Sequence, residues 1–296
     1  MILRHFPKPC PPPGWPNLVI HARGRAIEYP EHAGPLSLKC VFEGEEIHDV
    51  AGVRYVVDDR SVLLLNHGRS YSSHIRPGRE VEIFSLFFER DFATGTLRSL
   101  TQSVEDLRDD PTPTDCEPVE FFETRYSLNR DLALLLRTMR DQTETWKDAP
   151  LWLEERLHEV LAHLLLQYAD SVRESQSLSA VRPVTRAEQY RRVLRARDFI
   201  EGNLRAGADL STIASVSCLS SFHLLRLFKQ AFRETPHQYL TRRRLEHAHD
   251  LLTTTDLPVW NICQRVGYES LSSFSNLVSR RYGASPLALR RQLTTR

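Results

Sequence analysis

Cysteine and histidine, the side chains that most often bind metal or act as nucleophiles, stand too far apart in this sequence to form a known motif. The five cysteines include no Cys-x-x-Cys pair, which argues against a zinc knuckle, a thioredoxin-like motif and a disulfide framework: Cys10, Cys40, Cys116, Cys218 and Cys263. His48, His67 and His74 lack the close His-x-His spacing of barrel metalloenzymes, and the sequence has no Gly-x-Ser-x-Gly motif. We therefore expect no metal, no cofactor and no catalytic residue.

The chemistry that the composition favours is phosphate binding, and it is confined to one part of the chain. The net charge of +1 conceals two regions of opposite sign. Residues 183–296 hold 18 basic and 9 acidic side chains, whereas residues 1–182 hold 21 and 29. A region of net charge +9 beside one of −8 is typical of a nucleic-acid-binding domain joined to a domain that does not touch phosphate.

The basic region contains one helical pattern twice. Ile262 stands 49 residues after Ile213, and Pro286 stands 50 residues after Pro236. The first copy predicts a short helix over 210–216, a tight turn and a longer second helix, which are the proportions of a helix-turn-helix. A helix of about 17 residues between the copies, about 25 Å long, can hold two recognition helices roughly one DNA turn apart.

These features resemble the AraC/XylS family of bacterial regulators, whose DNA-binding domain has two helix-turn-helix units joined by a long helix. The resemblance covers roughly residues 187–291. It rests on the Ile213-Ala214 pair, the run Arg226 to Lys229, Thr235-Pro236 with Tyr239, Arg244-Leu245 with Ala248, Leu251 and Leu252, then Ile262, Val266-Gly267-Tyr268, Ser272, Phe274, Tyr282-Gly283 and Ser285-Pro286. Arg233, Cys263 and Val278-Ser279 depart from the usual glycine, alanine and Phe-Lys.

The resemblance implies that the first half of each recognition helix faces DNA bases. The implied residues are Ser221, Phe222, Leu225 and Arg226 in the first unit and Leu271, Ser272, Ser273 and Asn276 in the second. Arg226 can donate two hydrogen bonds to guanine, and Asn276 can bond adenine in the same way. Phe222 and Leu271 either contact thymine methyl groups or pack at the helix start.

Other basic side chains of this region are expected to position the protein on DNA without reading sequence. Contacts with phosphate carry no sequence information, and Lys229, Arg280 and Arg281 are assigned to them. The Arg242–Arg244 run need not contact DNA at all, because a run of charge usually marks a solvated helix face.

Residues 18–170 predict strands followed by two helices. Two-fold alternation up to about Phe92 predicts a small barrel or sandwich, with turns at Glu43-Gly44, Asp58-Asp59, Asn66-His67-Gly68 and Pro77-Gly78. Amphipathic stripes at 127–141 and 151–170 predict two helices, which either pack on their own barrel or pair in a homodimer. The family resemblance implies a cupin-like domain here that binds an effector and dimerises.

The predicted fold class is α+β: a cupin-like β-barrel with two helices, followed by an all-α double helix-turn-helix domain. The boundaries are a proline-rich arm at 1–17, the barrel domain at 18–170, a serine-rich linker at 171–183 and the DNA-binding domain at 184–296. An effector pocket would be lined by inward side chains of the barrel, for which the candidates are Tyr55, His67, Tyr71 and His74.

The sequence thus predicts a cytoplasmic bacterial transcription regulator, associated with the nucleoid when bound to DNA. Its expected partners are double-stranded promoter or operator DNA, RNA polymerase and a small-molecule effector. No membrane is expected, because no apolar run approaches the ~18 residues of a membrane span. Control by a protein partner bound to the barrel is the alternative, and a barrel metalloenzyme with an appended DNA-binding module is the remote one.

Overall fold

The computed structural model describes residues 2–3, 16–78, 80–109, 118–142, 150–179 and 182–293. The chain divides into two compact units, an N-terminal unit (residues 1–176) and a C-terminal unit (residues 177–296). The described strands all belong to the N-terminal unit, and the regular elements described in the C-terminal unit are all helices. The predicted α+β class, with sheets first and helices last, is confirmed. Cys10, Cys116 and most of the predicted arm lie outside the described residues.

The N-terminal unit places its strands in two sheets. The strands are β1 (Ile2–Leu3), β2 (Leu18–Gly24), β3 (Glu28–Ala33), β4 (Leu36–Glu43), β5 (Glu46–Val50), β6 (Val53–Val57), β7 (Ser61–Leu65), β8 (Ser70–His74), β9 (Val81–Phe88) and β10 (Arg125–Ser127). One sheet has the order β1-β2-β9-β4-β7-β10 and the other β3-β8-β5-β6. The four predicted turns each separate consecutive strands, as expected from their glycine, asparagine and aspartate residues.

Strand β4 is buried on both faces. Leu38 and Cys40 belong to the main hydrophobic core, and Lys39, which points to the opposite face, is also buried. Lys39 Nζ donates a hydrogen bond of 2.8 Å to Tyr71 Oη on β8, in the other sheet. The two sheets therefore enclose an interior that contains polar side chains.

The N-terminal unit also contains four described helices: α1 (Phe92–Thr101), α2 (Val104–Asp109), α3 (Arg130–Asp141) and α4 (Pro150–Ser175). The last two were predicted, and their apolar stripes pack on the outer face of the larger sheet, through residues such as Leu136 on α3 and Leu161 on α4. Packing on their own barrel is therefore the correct interpretation of these stripes. Helix α1 was not predicted because its buried residues are alanine and threonine, which make no stripe of large apolar side chains.

One helix and one strand pairing cross predicted segment boundaries. Helix α4 continues to Ser175, five residues into the predicted linker at 171–183, because its polar last turns extend a helix that is anchored in the core. Residues 2–3 form β1, which pairs in parallel with Val19 and Ile20 at the sheet edge. The prolines that exclude regular structure come later in the predicted arm, so they do not prevent this pairing.

The C-terminal unit consists of α5 (Pro183–Gly202), α6 (Leu210–Val216), α7 (Ser221–Phe232), α8 (Pro236–Thr254), α9 (Val259–Arg265), α10 (Leu271–Tyr282) and α11 (Pro286–Leu293). Helix α5 begins at Pro183, since proline is well suited to the first turn of a helix. Side-chain oxygens cap five helices by accepting a backbone N–H, and the capping residues are Asp209, Ser220, Thr235, Ser270 and Ser285. Helix α6 has the bounds predicted for the first short helix, 210–216.

The two recognition helices, α7 and α10, end on different residues in the same backbone conformation. Gly283 follows α10 with φ of 72°, and Arg233 follows α7 with φ of 61°. The left-handed region is open to glycine, whereas a side chain brings Cβ too close to the backbone. Arg233 therefore carries strain that its counterpart avoids.

Replacing Arg233 by glycine is expected to raise the free energy of unfolding by about 1 kcal/mol, because glycine relieves this strain. Arg233→Ala is the matched control: it removes the guanidinium but keeps Cβ, so its stability should stay close to that of the unchanged chain. Equilibrium urea unfolding followed by circular dichroism measures both. An equal gain in Arg233→Ala would show that the charge, not the backbone, is responsible.

Candidate nucleic-acid interface

The first helix-turn-helix consists of α6 and α7, whose axes differ by 81°. The buried Ser217 hydroxyl donates to Ile213 O at 2.7 Å and closes the end of α6. Cys218 then takes a left-handed conformation with φ of 54°, and Ser220 accepts the N–H of His223 to start α7. These local bonds fix the direction in which the recognition helix leaves the turn.

Helix α7 has one buried face and one exposed face. The buried face packs through Leu224, Leu227 and Phe228, and the Phe228 ring lies 5.6 Å from that of Tyr239 on α8. Of the predicted DNA-contacting residues, Ser221 is partly buried and the others are exposed: Phe222, Leu225, Arg226 and Lys229. The structure therefore brings these side chains together on one open surface.

Helix α10 repeats this arrangement in the second helix-turn-helix, which it forms with α9. Phe274 and Val278 face its core. All predicted DNA-contacting residues on this helix are exposed: Leu271, Ser272, Ser273, Asn276, Arg280 and Arg281. Phe222 and Leu271 are 77% and 40% exposed, so both side chains reach the open surface.

The arginine run on α8 serves the structure of the C-terminal unit. Arg242 binds Glu234 at 2.8 Å and Glu246 at 2.9 Å, and Arg243 binds Glu201 at 2.5 Å and Glu246 at 2.6 Å. These pairs neutralise two of the three positive charges within the protein. The expectation that the run need not form a DNA patch agrees with this geometry, although its side chains are partly buried and not fully solvated.

Arg244, the third arginine, joins the segment between α5 and α6 to the second helix-turn-helix. Its Nε donates to Leu204 O at 2.7 Å and its Nη2 to Arg205 O at 3.3 Å, both in the segment after α5. Its guanidinium also lies over the ring of Tyr268, 5.5 Å from the centroid, in the second helix-turn-helix. A Cβ on Gly267 would lie 2.4 Å from Arg205 O, so only glycine allows this approach.

Glu201 anchors α8 to α5 through two strong donors. Tyr239 Oη donates to Glu201 at 2.6 Å, on the same carboxylate that binds Arg243. Burial, and then the charge of Glu201, raise the pKa of Tyr239, so the phenol stays protonated and keeps donating at physiological pH. The long helix is thus fixed near its start by charge-assisted hydrogen bonds.

The four candidate ligand residues of the N-terminal unit occupy two different environments. Tyr55 and Tyr71 are buried, and Tyr71 accepts the hydrogen bond from Lys39 between the sheets. His67 is exposed in the turn between β7 and β8, so the prediction that it points inward is wrong. His74 is also misplaced: its side chain is 35% exposed, and Nδ1 lies 3.8 Å from the equally exposed carboxylate of Asp49.

Sequence reasoning missed the polar residues that do lie between the sheets. Glu46, His48 and Lys39 are buried there with Tyr71 and Ser73. The alternation along β4 placed Lys39 on the face opposite the leucines, but the sequence alone did not show that a second sheet covers that face. The spacing of Glu46 and His48 along β5 was the available signal, since residues two apart on a strand share a face.

Two properties of the described residues bear on metal binding and on membrane insertion. Among them, no group of three or more His, Cys, Asp or Glu side chains is arranged to hold a metal ion. In the same segments, no single helix is long and apolar enough to cross a membrane. One bent pair meets that test by length and composition, and it is the first helix-turn-helix, α6 with α7.

Known proteins are similar to this chain over its C-terminal unit, and some of them over most of its length. A family model described as a helix-turn-helix domain matches residues 213–292. The probable transcriptional regulator LumQ of Photobacterium leiognathi is 31% identical over 148 residues, which are 45% of this chain and 59% of LumQ. The thermoregulatory protein LcrF of Yersinia pestis is 25% identical over 252 residues, 84% of this chain and 86% of LcrF. The chain thus spans only about three-fifths of LumQ.

Among solved structures, an AraC-type DNA-binding-domain regulator from Chromobacterium violaceum is 27% identical. The match covers 36% of this chain and 96% of that one, with a TM-score of 0.34.

Two helix-turn-helix units, each with an exposed recognition helix and both attached to one long helix, define a double helix-turn-helix DNA-binding protein. The similar sequences indicate which kind of DNA-binding protein this is. They are transcriptional regulators, and the resemblance of this C-terminal domain to the AraC/XylS family is confirmed.

Gly267→Ala is expected to lower the free energy of unfolding by about 3 kcal/mol or more, because a new Cβ must displace the Arg205 backbone as well as adopt a positive φ. Gly283→Ala is the matched control, since Gly283 has a similar φ of 72° but open space around its Cβ position. We expect it to cost only about 1 kcal/mol. Urea unfolding measures both, and equal losses would contradict the close approach at Arg205.

Proposed function

We propose that the protein is a sequence-specific transcription regulator that binds promoter or operator DNA with α7 and α10. One observation carries this proposal: the corresponding faces of the two helices are both exposed, while their opposite faces pack into separate parts of the domain. A major groove accepts one helix, and a double helix-turn-helix offers two. The family relationship supports the same role.

Within this surface, different side chains perform different tasks. Arg226 and Asn276 read bases through paired hydrogen bonds, while Phe222 and Leu271 contact thymine methyl groups. Ser221, Leu225, Ser272 and Ser273 line the same grooves. The cations further along each helix, Lys229, Arg280 and Arg281, bind phosphate and set the register.

Arg226→Ala is expected to weaken binding to the preferred site by about 10- to 150-fold and to relax the preference at a single guanine, because a bidentate base contact is lost. Lys229→Ala is the contrasting variant. It should weaken binding to all DNA sequences alike and reduce the slope of log K against log salt concentration by about 1. Selection of genomic fragments by the full chain, followed by titration across a salt series, measures both effects. Loss of affinity without relaxed preference in Arg226→Ala would assign this residue to phosphate instead.

We also propose that a small molecule bound between the sheets of the cupin-like N-terminal unit controls this activity. Its binding changes the freedom of the DNA-binding domain across the linker, and with it promoter occupancy or contact with RNA polymerase in the bacterial cytoplasm. The buried polar side chains around Tyr71 support an interior site. Control by a protein partner predicts instead that the isolated regulator ignores small molecules and responds only when that partner is added.

Helix α4 supports a further proposal, a homodimer through the helices at 127–141 and 151–170. The apolar side chains on its inner face pack in the core, but Leu151 and Leu166 remain 69% and 63% exposed. Fifteen residues are about four helical turns, so these two leucines lie on one side of the helix. Leu134 on α3 is similarly exposed. Apolar side chains at such positions are typical of an interface between subunits.

Leu166→Glu is expected to weaken dimerisation at least tenfold, because a charge would be buried in the proposed interface. Gln167→Glu is the matched control, since it introduces the same charge at the neighbouring position. Sedimentation equilibrium over a concentration series measures the association of each variant. A wild-type chain that remains monomeric at the highest concentration would exclude this interface.

A further inference from the structure

The interior between the two sheets of the N-terminal unit contains ionisable and hydroxyl side chains where a barrel core is usually apolar. Ser37, Lys39, Glu46, His48 and Tyr71 are each at least 96% buried. They come from β4, β5 and β8, which belong to both sheets. Burial of such groups costs folding free energy unless each one finds a partner, so their grouping calls for a physical reason.

The ammonium group of Lys39 is held in a defined place. Its Nζ donates to Tyr71 Oη at 2.8 Å and lies 4.0 Å from the centroid of the Phe87 ring. The ring of Tyr71 also faces it, at 4.7 Å. Aromatic faces attract a cation and exclude water from it. The interior therefore presents a positive charge with a fixed position.

Glu46 and His48 form a second polar pair beside this charge. His48 Nε2 lies 3.3 Å from Glu46 Oε2, but the alignment is too poor for a hydrogen bond. Burial opposes ionisation of Glu46, yet the fields of His48 and Lys39 outweigh it and lower the pKa of this carboxyl. Glu46 is therefore an ionised acceptor at neutral pH.

Several polar atoms of this interior have no hydrogen-bond partner among the residues that the structure describes. They are Ser37 Oγ, Glu46 Oε2 and both ring nitrogens of His48. Buried polar atoms in folded proteins are almost always paired with protein or with a bound molecule. Glu46 Oε2 and His48 Nε2 form an ion pair with each other, but none of the four atoms has a hydrogen bond, and Ser37 lies on the same face of β4 as Lys39. Together they point to a molecule that the chain itself does not supply.

The types of these atoms define what that molecule must offer. Ser37 and His48 can donate hydrogen bonds beside the Lys39 ammonium, a combination that suits an oxyanion. Glu46 Oε2 can only accept, so it requires a donor such as a hydroxyl group. Phe87, which packs with Leu18 and Ile20, provides apolar surface for carbon atoms.

We propose that this interior binds a small hydroxylated organic acid: its carboxylate accepts hydrogen bonds from Ser37 and His48 beside Lys39, and its hydroxyl donates to Glu46. The inference rests on the proposed function, because it names the chemical class of the effector. It replaces His67 and His74 by residues that the structure places inside the barrel.

The test uses the full chain and three acids of increasing size: lactate, mandelate and gluconate. Thermal unfolding and titration calorimetry measure binding, since a ligand of the folded state raises Tm. We expect at least one acid to bind. Its matched analogue without the hydroxyl (propionate, phenylacetate or hexanoate) and its amide, which lacks the charge, should each bind at least tenfold more weakly.

Variants separate a binding role from a structural one. Lys39→Met should weaken binding of the acid at least tenfold. Glu46→Gln should remove the preference for the hydroxylated acid over its analogue without the hydroxyl. Ser37→Ala should weaken binding several-fold while leaving the Tm of the ligand-free protein unchanged or higher, because it deletes an unpaired buried hydroxyl. His67→Ala and His74→Ala are the controls and should bind normally.

Three outcomes would overturn the proposal: no acid raises Tm, amides bind as well as acids, or Ser37→Ala keeps full affinity but lowers the ligand-free Tm. Fragment selection with the same preparation distinguishes this failure from that of the proposed function. Recovery of a DNA site without any response to the acids refutes the ligand class and leaves the DNA-binding regulator intact. Failure to recover any DNA site contradicts the regulator itself.

Discussion

The contact of Arg244 with the segment after α5 ties three parts of the C-terminal unit together. Its guanidinium satisfies the carbonyls of Leu204 and Arg205 and lies over Tyr268, so one side chain of the long helix touches both the segment that leads into the first helix-turn-helix and the second helix-turn-helix. Gly267 permits this contact because a Cβ there would meet the Arg205 backbone. Reading two successive turns of a DNA groove requires a fixed spacing of the recognition helices, and this junction provides the physical restraint.

The basic residues of the C-terminal unit fall into two groups that a charge count does not separate. Arg242 and Arg243 bind Glu234, Glu201 and Glu246 and thus add little to the field outside the protein. Exposed cations on the recognition helices, such as Arg226, remain available to DNA. The net charge of +9 therefore predicts the domain correctly, but the ion pairs decide which face of it attracts phosphate.

Sequence reasoning succeeded where the signal is local. Capping residues such as Ser220 and Ser270 determine helix starts through bonds within four residues, and the repeat fixed the order of the helices. It failed where a distant element decides the environment. Lys39 illustrates this, because the second sheet that covers it depends on pairing between strands far apart in the chain. His67 is a different case, since it lies in a turn that the local sequence already predicted. Helix α1 was likewise not predicted, because its sequence has no stripe of large apolar residues.

The same chain treats buried charge in two different ways. In the C-terminal unit, the buried carboxylate of Glu201 receives hydrogen bonds from Tyr239 and Arg243, which compensate its removal from water. In the barrel, Glu46 and His48 are equally buried but poorly aligned, with atoms left unpaired among the described residues. An unpaired buried atom costs more stability than a paired one returns. The charges of the C-terminal unit are thus hydrogen-bonded within the protein, whereas the charges between the sheets keep hydrogen-bonding capacity for the bound molecule that we propose.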